Sequence, residues 1–126
     1  MSIIKERLGG RYNVYDSRPM KTPYDIILVE RGAVKEPREQ RFVEVKSWKH
    51  IDVVILTEIE KSFGEDIEEK GGNYWLYIVD MRVGSPRVLG YRKPFSTGAL
   101  EFIREVVRDD RAYYVYRVVR EADELW

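Results

Sequence analysis

Cysteine is absent from this chain of 126 residues, and histidine occurs only once, at position 50. Without cysteine the chain has no disulfide bonds, no thiolate metal sites and no cysteine nucleophile. A single histidine leaves little room for a zinc site, because such sites draw on histidine and cysteine ligands. These absences exclude cysteine-based catalysis and argue against zinc.

Long apolar segments are also missing. No hydrophobic run approaches the roughly 20 residues that a membrane-spanning helix needs. Lys5, Glu6 and Arg7 interrupt the beginning of the chain, where a signal peptide would carry its apolar region. We therefore expect a cytoplasmic protein that does not interact with membranes.

Side-chain amides are scarce, and neither sign of charge dominates. Only Asn13, Gln40 and Asn73 carry amides, whereas 22 acidic and 22 basic residues give a net charge of zero. This bias is typical of heat-adapted proteins and suggests a thermophilic, archaeal source. The balanced charge excludes a globally basic protein, but a local basic rim is compatible with binding to DNA.

The most informative pattern is an aspartate followed, after a hairpin-length gap, by Glu-x-Lys. Glu44 and Lys46 alternate with apolar residues along a predicted strand, so both side chains point to the same face. Asp25 opens the preceding apolar strand. If the two strands pair about a centre near Lys35 and Glu36, Asp25 lies opposite Lys46, and Ile27 lies opposite Glu44. All three charged groups then share one face.

This arrangement suits metal-dependent phosphodiester chemistry. Asp25 and Glu44 can hold a divalent cation in an oxygen-rich shell of the kind that Mg²⁺ or Mn²⁺ prefers. The metal activates a water molecule, while Lys46 orients that water or offsets charge in the transition state. The alternative is a solvated hairpin face with cross-strand ion pairs, each of which contributes under about 1 kcal/mol.

Basic residues near these two strands are candidates for binding substrate phosphates. They are Lys21, Lys49 and His50. The alternative for His50 is an ordinary loop residue at the end of a strand.

The remaining pattern predicts a mixed sheet with a few helices. Strands are expected at 12–15, 25–30, 41–47, 74–81, 87–92 and 112–119, with helical segments at 3–8, from Thr57 to about residue 70, and from Ser96 or Thr97 through Val107. Thr57 and Glu60 form a capping box, which explains both residues structurally. Ile59, Phe63 and Ile67 recur every fourth residue and predict the buried stripe of that helix.

The strand 112–119 is apolar on both faces and therefore needs a covering partner. Two arrangements satisfy this need, namely a homodimer and burial against the helix predicted at 98–108.

The order of Asp25, Glu44 and Lys46 resembles the PD-(D/E)xK superfamily, which includes restriction enzymes and archaeal Holliday junction resolvases. The chain is also similar to the domain family at the carboxyl end of the plant protein NO VEIN. That similarity covers roughly residues 10 to 95 and is carried by Tyr24-Asp25-Ile26, Val43-Glu44-Val45-Lys46, Leu56-Thr57-x-x-Glu60, Tyr74-Trp75-Leu76-Tyr77-x-Val79 and Pro94.

The resemblance implies one α/β (α+β) domain spanning residues 1–126, with a mixed central β-sheet flanked by helices and a restriction-endonuclease-like core. It implies a Mg²⁺- or Mn²⁺-dependent DNA endonuclease whose metal ligands are Asp25, Glu44 and the backbone carbonyl of Val45. Lys46 completes the catalytic set. The family's supporting glutamate on the first helix has its sole counterpart in Glu6, and Glu60, within the matched Leu56-Thr57-x-x-Glu60 motif, is a separate supporting candidate.

Two other classes of function stay open. The same fold, without catalysis, can serve as a module that binds nucleic acid or protein. The Asp25, Glu44 and Lys46 side chains can also form no more than a buried ionic cluster in a structural subunit.

Overall fold

The computed structural model describes residues 2–16, 25–30, 40–49, 51–82 and 84–126. These ranges contain two helices and nine strands. In chain order they are α1 (Ser2–Leu8), β1 (Tyr12–Asp16), β2 (Ile26–Glu30), β3 (Gln40–Trp48), β4 (Val53–Thr57), α2 (Glu58–Glu69), β5 (Tyr74–Asp80), β6 (Arg87–Arg92), β7 (Leu100–Arg108), β8 (Arg111–Val118) and β9 (Glu124–Leu125).

The strands form two sheets. The first has the order β1-β2-β3-β5-β6-β9, in which β3 and β5 run parallel and the other neighbours run antiparallel. The second is the antiparallel sheet β4-β8-β7. β4 and α2 connect the parallel pair β3 and β5, as a parallel connection requires a crossover. The predicted mixed sheet with few helices is confirmed.

Strand β5 lies at the centre of the molecule, because each of its faces packs into a different core. Trp75, Tyr77 and Val79 pack against α1, while Leu76 and Ile78 pack towards the second sheet. Every residue of β5 is buried. The prediction of a central strand covered from both sides is therefore confirmed.

Helix α2 begins at the predicted capping box, in which Glu60 N donates to Thr57 Oγ1 at 3.2 Å and Thr57 N donates to Glu60 Oε1 at 2.8 Å. The helix approaches β5 closely at Gly64. A Cβ atom there would lie 2.6 Å from the ring of Tyr74 and 2.7 Å from that of Phe95. Glycine is therefore needed for this approach, which sets the position of the helix and of Glu60 at its start.

The helix predicted from Ser96 or Thr97 through Val107 is wrong, because residues 100–108 form strand β7. This strand turns back into β8 through Asp109 and Asp110, whose φ angles of 52° and 61° are those of a two-residue hairpin turn. A register shift between Phe102 and Arg104 marks a β-bulge. The bulge breaks the alternation of apolar residues, which explains why the spacing resembles that of a helix.

Three further expectations need correction or addition. Ile59 is 69% exposed, so it does not belong to a buried stripe of α2. The helix expected to cover β8 from residues 98–108 is absent; the two edges of β8 pair with β4 and β7, and Tyr116 on one of its faces packs into the core. Strand β4 was not predicted. Neither helix in the described ranges is long and apolar enough to cross a membrane.

Candidate functional site

The three residues of the predicted site lie on neighbouring strands, but in a different register from the one expected. Ile27 lies opposite Phe42 rather than Glu44. Each residue of β2 therefore pairs with a residue of β3 two positions earlier than expected, which moves the centre of the hairpin by one residue. An even shift preserves the alternation of faces. Asp25 N donates to Val43 O at 2.9 Å, so Asp25 lies beside Glu44.

The centre of the site is a cluster of two glutamates and a lysine. Lys46 Nζ lies 3.1 Å from Glu60 Oε1, 3.2 Å from Glu60 Oε2 and 3.5 Å from Glu44 Oε1. Two elements build this cluster. Strand β3 supplies Glu44 and Lys46 on one face, and the first turn of α2 supplies Glu60.

The Glu44 carboxyl group is buried, with 2% of its side chain exposed. Burial raises its pKa, and the hydrogen bond and negative charge of Glu60 raise it further, to about 10, against the opposing effect of Lys46. Burial also opposes the ionisation of Glu60. However, hydrogen bonds with Glu44, Thr57 and Lys46 lower the pKa of Glu60 to about 2. The pair therefore shares one proton, which resides on Glu44.

Asp25 is bound to the backbone of β3. Its Oδ2 accepts a hydrogen bond from Val45 N at 2.8 Å. The carboxylate is also close enough to raise the pKa of Glu44 through its negative charge. Asp25 thus has a structural role at the start of β2 and a position next to the acidic pair.

An aromatic residue, Tyr74, borders this site from the neighbouring strand β5. The hydroxyl of Tyr74 on β5 is buried, and burial raises its pKa well above the usual value, with further contributions from the charges of Glu44, Glu60, Glu68 and Asp25. Its neutral form is therefore fixed beside the carboxylates. The sequence pattern predicted Tyr74 only as a core residue, because the residues next to it in the sequence do not reveal which charged groups lie near its hydroxyl in the fold.

The donor chemistry of this site fits a hard divalent cation. Carboxyl oxygens of Glu44 and Glu60 lie around the single ammonium group of Lys46, and Asp25 lies beside Glu44, so the site is rich in the oxygen donors that such a cation prefers. Burial raises the pKa of Glu44, and the negative charges of Glu60 and Asp25 raise it further. Among the described residues, no group of three acidic or histidine side chains is already arranged to hold a metal.

The other residues named from the sequence lie elsewhere or outside the described ranges. Glu6 is exposed on α1, whose Ile4 and Leu8 pack against the face of β3 that carries Val43, not the face with Glu44. The structure therefore does not bring Glu6 to the site. Lys49 is exposed just after the end of β3. Lys21 and His50 fall outside the described residues.

A second buried carboxylate lies at the end of β5, and it has a different environment. Asp80 has no exposed side-chain surface, and it accepts from Arg82 Nε at 2.9 Å and from Arg87 at 3.3 Å. Hydrogen bonds and charge from Arg82, with a further bond from Arg87, lower its pKa to about 2 although burial opposes this. Asp80 is thus a fully compensated ionic group.

Comparisons with known proteins bear on the fold and the family. The model of a family described as Protein NO VEIN, C-terminal, matches residues 1–89. Among solved structures, the chain is similar to Hjc, a Holliday junction resolvase from the archaeal hyperthermophile Archaeoglobus fulgidus, solved at 1.6 Å. The TM-score is 0.53 and the identity is 13%, over 92% of this chain and 78% of that one. A comparison with curated proteins gives no match.

The similarity to Hjc, at so low an identity, shows the fold alone. It confirms the predicted mixed α+β class with a restriction-endonuclease-like arrangement. One fold hosts many activities, so the fold by itself does not indicate which reaction this chain carries out.

Proposed function

Since this chain belongs to the family of the NO VEIN C-terminal domain, we propose that it is a metal-dependent nuclease that hydrolyses phosphodiester bonds in DNA. The observation that carries the proposal is the contact of Lys46 with both Glu44 and Glu60 beside Asp25. An ammonium group among carboxyl groups, on a fold also found in a resolvase, supports a site for phosphodiester hydrolysis.

Each residue then has a separate task. Asp25, Glu44 and the backbone carbonyl of Val45 would hold Mg²⁺ or Mn²⁺, which supplies an activated water and polarises the phosphate when bound. Lys46 holds a positive charge next to the reacting phosphate and orients the water. Glu60 is a positioning residue, because both of its carboxylate oxygens accept hydrogen bonds from Lys46.

Glu60 is held in turn by the start of α2. Its Oε1 accepts from Thr57 N at 2.8 Å, so the capping box fixes the carboxylate that grips Lys46. The capping and supporting roles, which the sequence presented as alternatives, are therefore compatible in one residue. Lys49 is the described candidate for contact with a substrate phosphate, since it is exposed directly beyond the strand of Glu44 and Lys46.

A second candidate function is a nuclease-like fold that binds nucleic acid or protein without cleaving it. The burial of Glu44 favours it, since a carboxyl group with 2% exposure that already hydrogen-bonds Glu60 needs no cation to be satisfied. Cleavage separates the two proposals, because both permit binding.

The experiment is a cleavage assay on supercoiled, linear, single-stranded and branched DNA with Mg²⁺ or Mn²⁺. The Asp25→Asn and Lys46→Met variants are run in parallel, with Lys5→Met as the matched control on the exposed face of α1. We expect the wild type and the control to cut DNA, and both site variants to lose about 100-fold or more in rate while retaining their fold. Absence of cutting on every substrate by the wild type would favour the non-catalytic module.

A further inference from the structure

The second sheet has one face that the rest of the described chain does not cover. Val54, Leu56 and Tyr116 on its inner face pack into the core against the first sheet. The opposite face forms a shallow groove of about 640 Å³, which we call the outer groove. Its floor comes from strands β4, β7 and β8.

The floor of the outer groove is aliphatic and open. Ile51, Ile55 and Ile103 are 64%, 48% and 41% exposed, and Val53 and Val115 lie between them. Isolated apolar side chains are common on protein surfaces, but a contiguous set that forms a concave surface is typical of an interaction site.

The rim of the outer groove is basic. Arg104 and Arg108 line it directly, and Arg117 lies on the same face, opposite Val53 in the β4 and β8 pairing. Within the described ranges, none of these three guanidinium groups forms an ion pair, although Glu101 lies opposite Arg117 in the register. The rim therefore carries positive charge that is not held in ion pairs, in a chain whose net charge is zero.

The basic rim and the apolar floor together indicate which kind of molecule the outer groove binds. A second copy of the chain, packed by a two-fold axis through this face, would bring the arginine rims towards each other at an energetic cost. A nucleic acid would satisfy the arginines, but among the described residues that line the groove Tyr113 is the single aromatic, so the isoleucine and valine floor offers one ring rather than a platform for stacking successive bases. A protein segment with apolar residues on one side and acidic residues at its margins satisfies both features.

We propose that the outer groove is a docking site for an acidic, amphipathic segment of a partner protein. The surface is separate from the candidate nuclease site, because Glu60 and Lys46 lie towards the first sheet. Most of the groove also lies beyond the residues that match the family model, since β7 and β8 follow residue 89. The docking site is therefore a feature of this chain and does not depend on the proposed cleavage activity.

Fluorescence anisotropy with defined probes tests the proposal on the full chain. The probe is a labelled helical peptide with leucine on one face and glutamate on the other. Three comparison probes replace glutamate by lysine, replace leucine by serine, or use duplex DNA. The groove variants are Ile55→Asp, Ile103→Asp and Arg104→Glu, and the matched controls are Tyr15→Asp and Lys5→Glu, which change exposed residues on β1 and α1.

We expect the acidic amphipathic peptide to bind, with affinity about tenfold lower in each groove variant and unchanged in both controls. The peptides that lack either glutamate or leucine should bind more weakly than the complete one. The proposal would be overturned if the lysine peptide bound as tightly as the glutamate peptide. It would also be overturned if duplex DNA bound more tightly than the glutamate peptide and Ile55→Asp weakened that DNA binding. A third contrary result is a wild-type dimer in sedimentation that Ile55→Asp converts to a monomer.

Discussion

Glu44 and Asp80 are both buried carboxyl groups on adjacent parallel strands, yet their environments shift their pKa values in opposite directions. Asp80 is enclosed by two arginines, and its pKa falls to about 2. Glu44 is buried beside another carboxylate and a single lysine, and its pKa rises to about 10. Compensation of charge at Asp80 is typical of a structural ion pair, whereas its lack at Glu44 is typical of a functional site.

The largest effect on stability is expected from removal of Asp80. Replacement by alanine leaves Arg82 and Arg87 without their shared partner and empties a buried position. We expect Asp80→Ala to lower the free energy of unfolding by about 2–3 kcal/mol, towards the low end for buried pairs because both arginines reach solvent. Urea unfolding measures this change. Asp66→Ala, which breaks the exposed pair with Lys70, is the control and should cost under about 0.5 kcal/mol.

Acid should destabilise the protein through Asp80. Its folded pKa of about 2 lies below the usual aspartate value of 3.8, so the unfolded chain binds more protons between these values. Asp80 therefore contributes stability that is complete above about pH 4 and is lost as the pH falls towards 2, by about 2 kcal/mol in total. Unfolding measured across this range should show a smaller loss in Asp80→Asn. An identical acid profile in the variant would assign the loss to other groups.

Alkali should reveal the opposite behaviour of Glu44. Because its folded pKa lies above the usual glutamate value of 4.5, the folded state binds more protons between pH 4.5 and about 10, and stability declines as the pH rises. We expect a decline of about 1 kcal/mol or more between pH 6 and 9. The Glu44→Gln variant keeps the hydrogen bond to Glu60 and should lack this decline. A strong loss of stability in Glu44→Gln at pH 6 would indicate an ionised Glu44 paired with Lys46.

The smallest effect is expected at the capping box that holds Glu60. Thr57→Ala removes the hydroxyl that accepts from Glu60 N and should cost about 0.5–1 kcal/mol. Thr57→Ser keeps that hydroxyl and serves as the control. If Glu60 positions Lys46 through this cap, Thr57→Ala should also lower the cleavage rate while Thr57→Ser does not. An unchanged cleavage rate in Thr57→Ala would show that the capping box does not contribute to the position of Lys46.

Local patterns were sufficient to predict much of this fold. The alternation along β3 placed Glu44 and Lys46 on one face, and Thr57 with Glu60 marked the start of α2. The apolar character of both faces identified β5 as the central strand. Each of these inferences depends on residues that are close in sequence, where periodicity and capping are informative.

Features that depend on distant contacts were not predictable in the same way. Leu100, Ile103 and Val107 have helical spacing only because a bulge shifts the alternation, and the turn at Asp109 and Asp110 sets the hairpin. The pairing register of β2 and β3 depends on how the intervening residues turn, which the apolar pattern does not specify. The contact of Glu60 with Lys46 joins a helix to a strand, and the cap alone does not reveal it.

The measurement that tests the central claim most directly is calorimetric titration of Mn²⁺ into the wild-type protein and into Glu44→Gln. The variant retains the size of the side chain and its hydrogen bond to Glu60, so only the capacity to carry a negative charge is removed. A cation site at Asp25 and Glu44 predicts that the wild type binds Mn²⁺ and that Glu44→Gln does not. Equal binding by both proteins, or no binding by the wild type, would contradict a metal site at this position.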